Sequence, residues 1–340
     1  MAKRIWLIAG LVPVLVALLV TPAQAASSPV IASVAARGLP VEVVGGYGAV
    51  WAAEIGKASY VQRIDPATNR VTATVSLGLG QVIGDDVVGA PLAVGSGGVW
   101  VTDYWRNLLL RIDPVAARVV ARISVGRSPT AVVATSGQVY VLNANDGTLD
   151  RINPSTNRIE ARARVFPGPR EADVAFPHMT VFRGALWVAL SLTQQVLQID
   201  PQTLAVTHVE SVAPAAACGP VRPAPGGFWI DDSDCGSPLI SRYSLTSHRI
   251  VAQVNTQPGC LVGTVVRAGY LYDAQSRTTT GAPNYACLGG QVVKRDIRTG
   301  RPVAVEHVYG VGVAWTLGYA AGSFWTARYT DNELLRLRDF

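Results

Sequence analysis

The sequence predicts an all-β protein, a seven-bladed β-propeller of four-stranded antiparallel blades whose ring is closed by the N-terminal strand. Three observations lead there. A short strand carrying an aromatic residue recurs seven times. A second strand, stopped in the early copies by Asp-Pro or Asn-Pro, follows it. The last copy lacks an outer strand, and the stretch before the first copy can supply one.

Residues 1–25 read as a leader rather than as part of the fold. Lys3 and Arg4 precede an apolar run from Ile5 to Val20, and Ala23-Gln24-Ala25 forms a small-residue cleavage site. The run is shorter than the ~20 residues a spanning helix needs. A secreted or periplasmic chain without a transmembrane segment is therefore expected, with residues 26–340 forming the propeller.

The first element of each blade body is the aromatic strand. It appears at Ala49-Val50-Trp51, Gly98-Val99-Trp100, Gln138-Val139-Tyr140, Ala185-Leu186-Trp187, Gly227-Phe228-Trp229, Tyr270-Leu271-Tyr272 and Ser323-Phe324-Trp325. The aromatics lie about 46 residues apart, the length of a four-stranded blade. The most regular copy, Gly97 to Gly126, sets a short strand ending in the pair Tyr104-Trp105 before Leu109-Leu110-Arg111-Ile112-Asp113-Pro114. Proline cannot donate to a ladder and the preceding Asp favours a turn, so the strand stops there. The same stop closes strands at Asp65-Pro66, Asn153-Pro154 and Asp200-Pro201, while blades five and six carry degraded copies at Arg242-Tyr243-Ser244 and Arg295-Asp296-Ile297. Asn69, Asn157 and Gly300 supply turns into the outer strands.

The ends of the chain complete the ring. The last copy stops after Leu334-Leu335-Arg336-Leu337, so blade seven has no outer strand of its own. Val30-Ile31-Ala32-Ser33-Val34-Ala35 resembles the outer strand Val71 to Ser76 and precedes the inner strand of blade one, Val41 to Val44. Docking it on blade seven pairs strands that would otherwise end as free edges.

This unit resembles the secreted YVTN-type propeller repeat and, more loosely, the repeats of virginiamycin B lyase-like seven-bladed propellers, over residues 30–340. The resemblance specifies fold far better than function. It implies the possibility of a lyase that sets a channel histidine and acidic residues around a divalent cation, magnesium or calcium. His178, Glu171, Asp173 and Asp103 are the residues here that could take those parts.

Four cysteines in an exported chain imply disulfides. Cys218 and Cys260 lie where blades five and six begin their inner strands, and Cys235 and Cys287 follow the aromatic strands of the same blades. The expected pairs are Cys218–Cys235 and Cys260–Cys287, each contributing about 3 kcal/mol by the chain-entropy argument. No close Cys-x-x-Cys pair supports zinc.

Composition narrows the function classes. The formal net charge is +6, two of it from the leader. The basic residues are scattered at strand ends (Arg63, Arg111, Arg151, Arg242, Arg336) as a solvated surface, not clustered as nucleic-acid binding requires. There is no Gly-x-Ser-x-Gly elbow for serine chemistry, and nothing singles out a quinone cofactor. Ligand sites in propellers form at the channel mouth. Three residues beyond the blade aromatics stand Glu54, Asp103, Asn143, Leu190, Asp232, Gln275 and Arg328, six of them polar and candidate ligand contacts. Wet loops would also explain that polarity.

Blade four is the exception. Arg170-Glu171-Ala172-Asp173 precedes its inner strand, which opens at Phe176-Pro177-His178. Of the four histidines, His208 and His248 fall in or beside outer strands and His307 in a late linker. His178 is therefore the candidate base or metal ligand, with Glu171 and Asp173 beside it; the blander alternative is a hydrogen-bonded structural histidine. Asp231-Asp232-Ser233-Asp234 offers oxygen ligands but lacks a calcium-loop frame, and reads as a stapled surface loop. The leading expectation is a non-catalytic, monomeric recognition platform for a small molecule, glycan or peptide. A metal-assisted lyase or hydrolase is the alternative.

Overall fold

The structure, a computed structural model, describes residues 28–56, 58–79, 91–168, 177–232, 239–256, 260–278, 287–308, 316–328 and 331–340, with the backbone alone for 79, 260–262, 276–278 and 287–289. Every regular element among them is a strand. Twenty-eight strands form seven antiparallel sheets of four. Inner strands of successive blades touch one another around the ring, and the inner strand of blade one touches those of blades two and seven. The chain is a seven-bladed β-propeller.

Closure uses the N-terminal strand. Val30–Ala35 pairs with Glu333–Leu337, the third strand of blade seven, in a register that sets Val34 opposite Leu334. Val34 is buried beside Trp325 and Leu334. The inner strand of blade one runs from Leu39 to Gly46, longer at both ends than its apolar centre suggests.

The aromatic strands are buried along nearly their whole length, because each lies inside its sheet with a neighbouring blade on either face. Period-two alternation is lost there, as expected of strands covered on both sides. All seven aromatics are buried, with Trp51, Trp100, Trp229 and Trp325 completely so. In four blades the indole N–H donates to the carbonyl five residues earlier: Trp51 to Gly46, Trp100 to Gly95, Trp187 to Phe182 and Trp325 to Ala320. The ring thus fills the wedge between sheets while its one polar atom is satisfied. Outer strands keep the alternating pattern, as in Arg158–Arg164.

The Asp-Pro stops are turns closed by their own side chains. Asp113 Oδ1 accepts the N–H groups of Val115 and Ala116, and Asp65, Asn153, Asp200 and Asp296 make equivalent bonds. Those N–H groups hold the Asp65, Asp113 and Asp200 carboxyls below their ordinary range. The residue that exits the turn has positive φ, at Asn69, Asn157 and Gly300 and also at Ala117, Leu204 and His248.

Three expectations need correction. The arginines at strand ends are not simply a solvated surface. Arg111 Nη1 donates to the Pro154 carbonyl and, at 2.9 Å, to Asn157 Oδ1 in the turn of blade three. Arg151 reaches the Pro201 and Gln202 carbonyls of blade four, and Arg336 the Pro66 carbonyl and Asn69 of blade one. These side chains clasp one blade to the next, because the proline turn leaves carbonyls with no ladder partner. His307 belongs to the outer strand Pro302–Val308 of blade six rather than to a linker. Tyr104 and Trp105 lie in the turn beyond the strand Gly98–Asp103, stacked edge to face at 4.9 Å, with Trp105 60% exposed.

Candidate functional site

The residues three beyond each aromatic come first. Glu54, Asp103, Asn143, Asp232 and Gln275 are all buried, so wetness does not explain their polarity. Glu54 Oε2 accepts the N–H groups of Arg37 and Gly38 at 2.9 and 3.0 Å. Asp232 accepts the Ala217 N–H at 3.0 Å. Both hold the linker that enters their own blade. Asn143 donates to Asp150 Oδ2, and that oxygen accepts the Gly126 N–H of the linker into blade three. Asp103 accepts the Arg106 N–H and pairs with its guanidinium. Gln275 bonds Asp273 and Gln291, and Arg328 pairs with Asp331 and Glu333. Leu190, the apolar member, carries no such anchor.

Burial pushes the Glu54 carboxyl up to about 7 against the two N–H bonds, and pushes Asp232 up as well. Asp273 is also raised by burial, although the Arg295 guanidinium lies 2.5 Å away and opposes it.

The channel itself holds a group that the repeat position did not point to. Glu42 lies opposite Ala53 in the inner strand of blade one. Its Oε2 accepts the Leu92 N–H from blade two at 2.9 Å. Burial pushes the carboxyl up to about 8, and the charge of Arg222 pulls it back part of the way. Arg222 belongs to the inner strand of blade five, Val221–Ala224. Blades one and five are not neighbours, so the two side chains sense each other across the central channel. Arg222 Nε donates to Thr264 Oγ1 at 3.2 Å, and that hydroxyl donates to Asp231 Oδ2 at 2.6 Å. Asp231 is packed against the linker: a Cβ on Gly219 would stand 1.8 Å from Asp231 Oδ1. Asp231 and Asp232 are thus buried anchors, not a surface loop.

His178 opens the inner strand of blade four, Thr180 being paired with Trp187 and His178 with Ala189. Glu42 pairs with the alanine two residues beyond Trp51 in the same way. The two side chains therefore occupy equivalent positions in blades one and four, and His178 is buried. Glu171 and Asp173 lie outside the described residues, as does Cys235; of Cys260 and Cys287 only the backbone is described. No cysteine among the described residues is free, and Cys218 is buried. Among the described residues, no three His, Cys, Asp or Glu side chains come together as a metal-ion group, and no helix is long and apolar enough to cross a membrane. Asp103 is paired with Arg106.

A charged residue inside an apolar inner strand was the available signal for this site. Val41-Glu42-Val43 and Val221-Arg222-Pro223 both show it. No protein-family model matches the chain, and no curated protein matches it.

Proposed function

We propose that this propeller is an extracytoplasmic recognition platform that binds a small polar ligand, most simply a glycan end, at the mouth of its channel. The observation that carries this reading is the Glu42–Arg222 interaction across the ring. The fold asks only for strand-forming residues at inner-strand positions, yet a carboxyl and a guanidinium from non-neighbouring blades are placed there, near enough for the charge of Arg222 to act on Glu42. Burial raises the Glu42 carboxyl to about 8, which favours its protonated, hydrogen-bonding form in the same channel as the Arg222 guanidinium. Such a pair suits hydroxyl or carboxylate groups of a ligand. Trp105 adds an exposed indole in the turn after the blade-two aromatic strand, a surface on which a sugar ring can stack. The kinship with YVTN-type and virginiamycin B lyase-like repeats belongs to the same proposal, supported by the repeat register and the seven blades.

The test is thermal unfolding of the mature protein against a panel of oligosaccharides and short peptides. A ligand at a hundredfold excess over its dissociation constant stabilises the folded state by about 2.7 kcal/mol. The rise should vanish in Arg222→Ala and shrink in Trp105→Ala. A rise that persists undiminished in Arg222→Ala moves the site away from the channel. The lyase reading has one observation in its favour, the equivalent placement of His178 and Glu42, and the same assay addresses it. A rise with magnesium or calcium that disappears in His178→Ala would replace the platform with a metal-assisted enzyme.

Export is part of the proposal, together with the pairs Cys218–Cys235 and Cys260–Cys287. Intact mass of the secreted chain should begin at Ala26, and non-reducing peptide mapping should recover those two crosslinked pairs. A retained N-terminus or a Cys218–Cys260 peptide would overturn it.

A further inference from the structure

We infer that the boundary between blades four and five is a pH-responsive clasp, tight when His248 carries a proton and looser once that proton is lost. The turn from the third to the outer strand of a blade ends on a residue of positive φ, which is Asn69 in blade one, Asn157 in blade three and His248 in blade five. In blades one and three this residue receives an arginine from the blade before it. Arg336 Nη1 donates to Asn69 Oδ1, and Arg111 Nη1 to Asn157 Oδ1. Blade four has Gln198 where those arginines stand, and its contact with blade five has the opposite polarity. Here the acid comes from the preceding blade, as Glu210 of the outer strand Val206–Ser211, and the base from the turn, as His248. An arginine clasp stays charged at any ordinary pH, whereas a histidine gains and loses its charge near neutrality.

Glu210 is buried, and its Oε2 accepts the Tyr243 hydroxyl at 2.7 Å and lies 3.0 Å from His248 Nδ1. The Tyr243 ring stacks on Phe228, which meets Trp187 of blade four with 5.8 Å between centroids. The carboxylate therefore sits at the edge of the apolar core that the two blades share. A neutral imidazole offers it one N–H; a protonated one adds an opposite charge at the same contact. Burial raises the Glu210 carboxyl, but the bonds from His248 and Tyr243 and the charges of His248 and His208 outweigh it and hold the group below its ordinary range. Glu210 thus stays ionised where histidines titrate. The added strength is present below the histidine range and is lost as pH rises through it. His208 stands two residues before Glu210 on the same strand and is exposed. From the third strand of blade four, Val196 lies opposite Glu210 and Gln198 opposite His208, and neither titrates. Arg249, which follows His248, is exposed. The His248 side chain is itself 57% exposed, so it equilibrates with solvent protons without the ring opening.

The experiment is urea unfolding of the chain of residues 26–340 and its variants at about pH 5.5 and about pH 8, on either side of the histidine range. His248→Asn gives the turn the residue that blades one and three carry there, so the positive φ is kept and the titration removed. The ratio of the wild-type folding constant to that of His248→Asn should be about fivefold larger at the lower pH. Taking ratios cancels Glu42 and Glu54, which titrate alike in both chains. Glu210→Gln keeps an acceptor for the Tyr243 hydroxyl without the charge. In that background His248→Asn should have the same effect at both pH values. His208→Asn should leave most of the fivefold change in place. A ratio that is equal at the two pH values overturns the clasp, and so does a change that persists undiminished in Glu210→Gln. A change abolished by His208→Asn would overturn the role given to His248. Because His248 lies in an exposed turn, the first comparison decides the matter even where Glu210→Gln does not fold.

Discussion

Glu54 shows how a polar residue can serve the fold and still leave a titration signature. Both linker N–H groups go to Oε2, while Oε1 is buried without a partner. Its carboxyl lies near 7 when folded and near 4.5 when unfolded. Between those values the folded chain holds more protons than the unfolded one, so stability falls as pH rises through this window. Below about 4.5 both states are protonated and no penalty applies; above about 7 the whole penalty, roughly 3 kcal/mol, is present. Glu54→Gln keeps an acceptor for the linker and removes the ionisation. Chemical denaturation from pH 4.5 to 8 should show the wild type losing stability relative to the variant by about that amount. Parallel curves would mean that Glu54 does not titrate in this window. At this scale the sequence was partly legible: counting three beyond the aromatic found five buried polar groups. It could not reveal that several of them face their own linker, because that depends on how closely Gly38, Gly126 and Gly219 bring the chain to the sheet.

Between elements, a partnership that recurs in blades two, three and seven joins the arginine of the third strand to the proline turn of the following blade. Arg111 also lies over Trp100, its guanidinium carbon 5.1 Å from the ring centroid, as Arg336 lies over Trp325 at 5.6 Å. Stacking holds the guanidinium plane so that its N–H groups meet carbonyls across the blade boundary. At this position Arg63 of blade one bonds Thr72 and Arg242 of blade five bonds the Pro225 carbonyl, each within its own blade, and blade four has Gln198. The repeat made these arginines visible but not their partners, since each bond joins residues more than forty apart. Arg111→Ala should cost about 2 kcal/mol through loss of charged hydrogen bonds and stem packing. Arg118→Ala, in the same blade but exposed on the outer strand, should cost less than about 0.5 kcal/mol. Urea unfolding of the two variants checks this, and equal midpoints would reduce the clasp to a surface contact.

At the scale of the whole molecule the sequence was most informative, because seven copies of one pattern average out the irregularities of each. The aromatic and proline-stop strands define blades, and the missing outer strand of the last copy identifies the closing one. What repetition cannot report is what differs among copies. Glu42 and Arg222 are departures from the apolar pattern of the inner strands, and the candidate channel site is built on them. Closure itself yields a direct test. Residues 28–38 supply the outer strand of blade seven, the buried side chain of Val34, the Ala36 N–H bond to the Asn332 carbonyl, and both N–H groups held by Glu54. Removing them exposes the backbone edge of Glu333–Leu337 and frees the first blade from its linker anchor at once. Burying one valine alone is worth about 1.5–3 kcal/mol, so the loss for the whole strand should be several kcal/mol and should spread beyond blade seven. The truncated protein should melt markedly lower than the chain of residues 26–340, and a synthetic peptide of residues 28–38 added in excess should restore part of the midpoint by filling the vacant edge. Unchanged melting on truncation would show that the ring holds without its closing strand. A lowered midpoint that the peptide cannot raise would place the stabilisation in the covalent continuity between blades seven and one rather than in strand pairing.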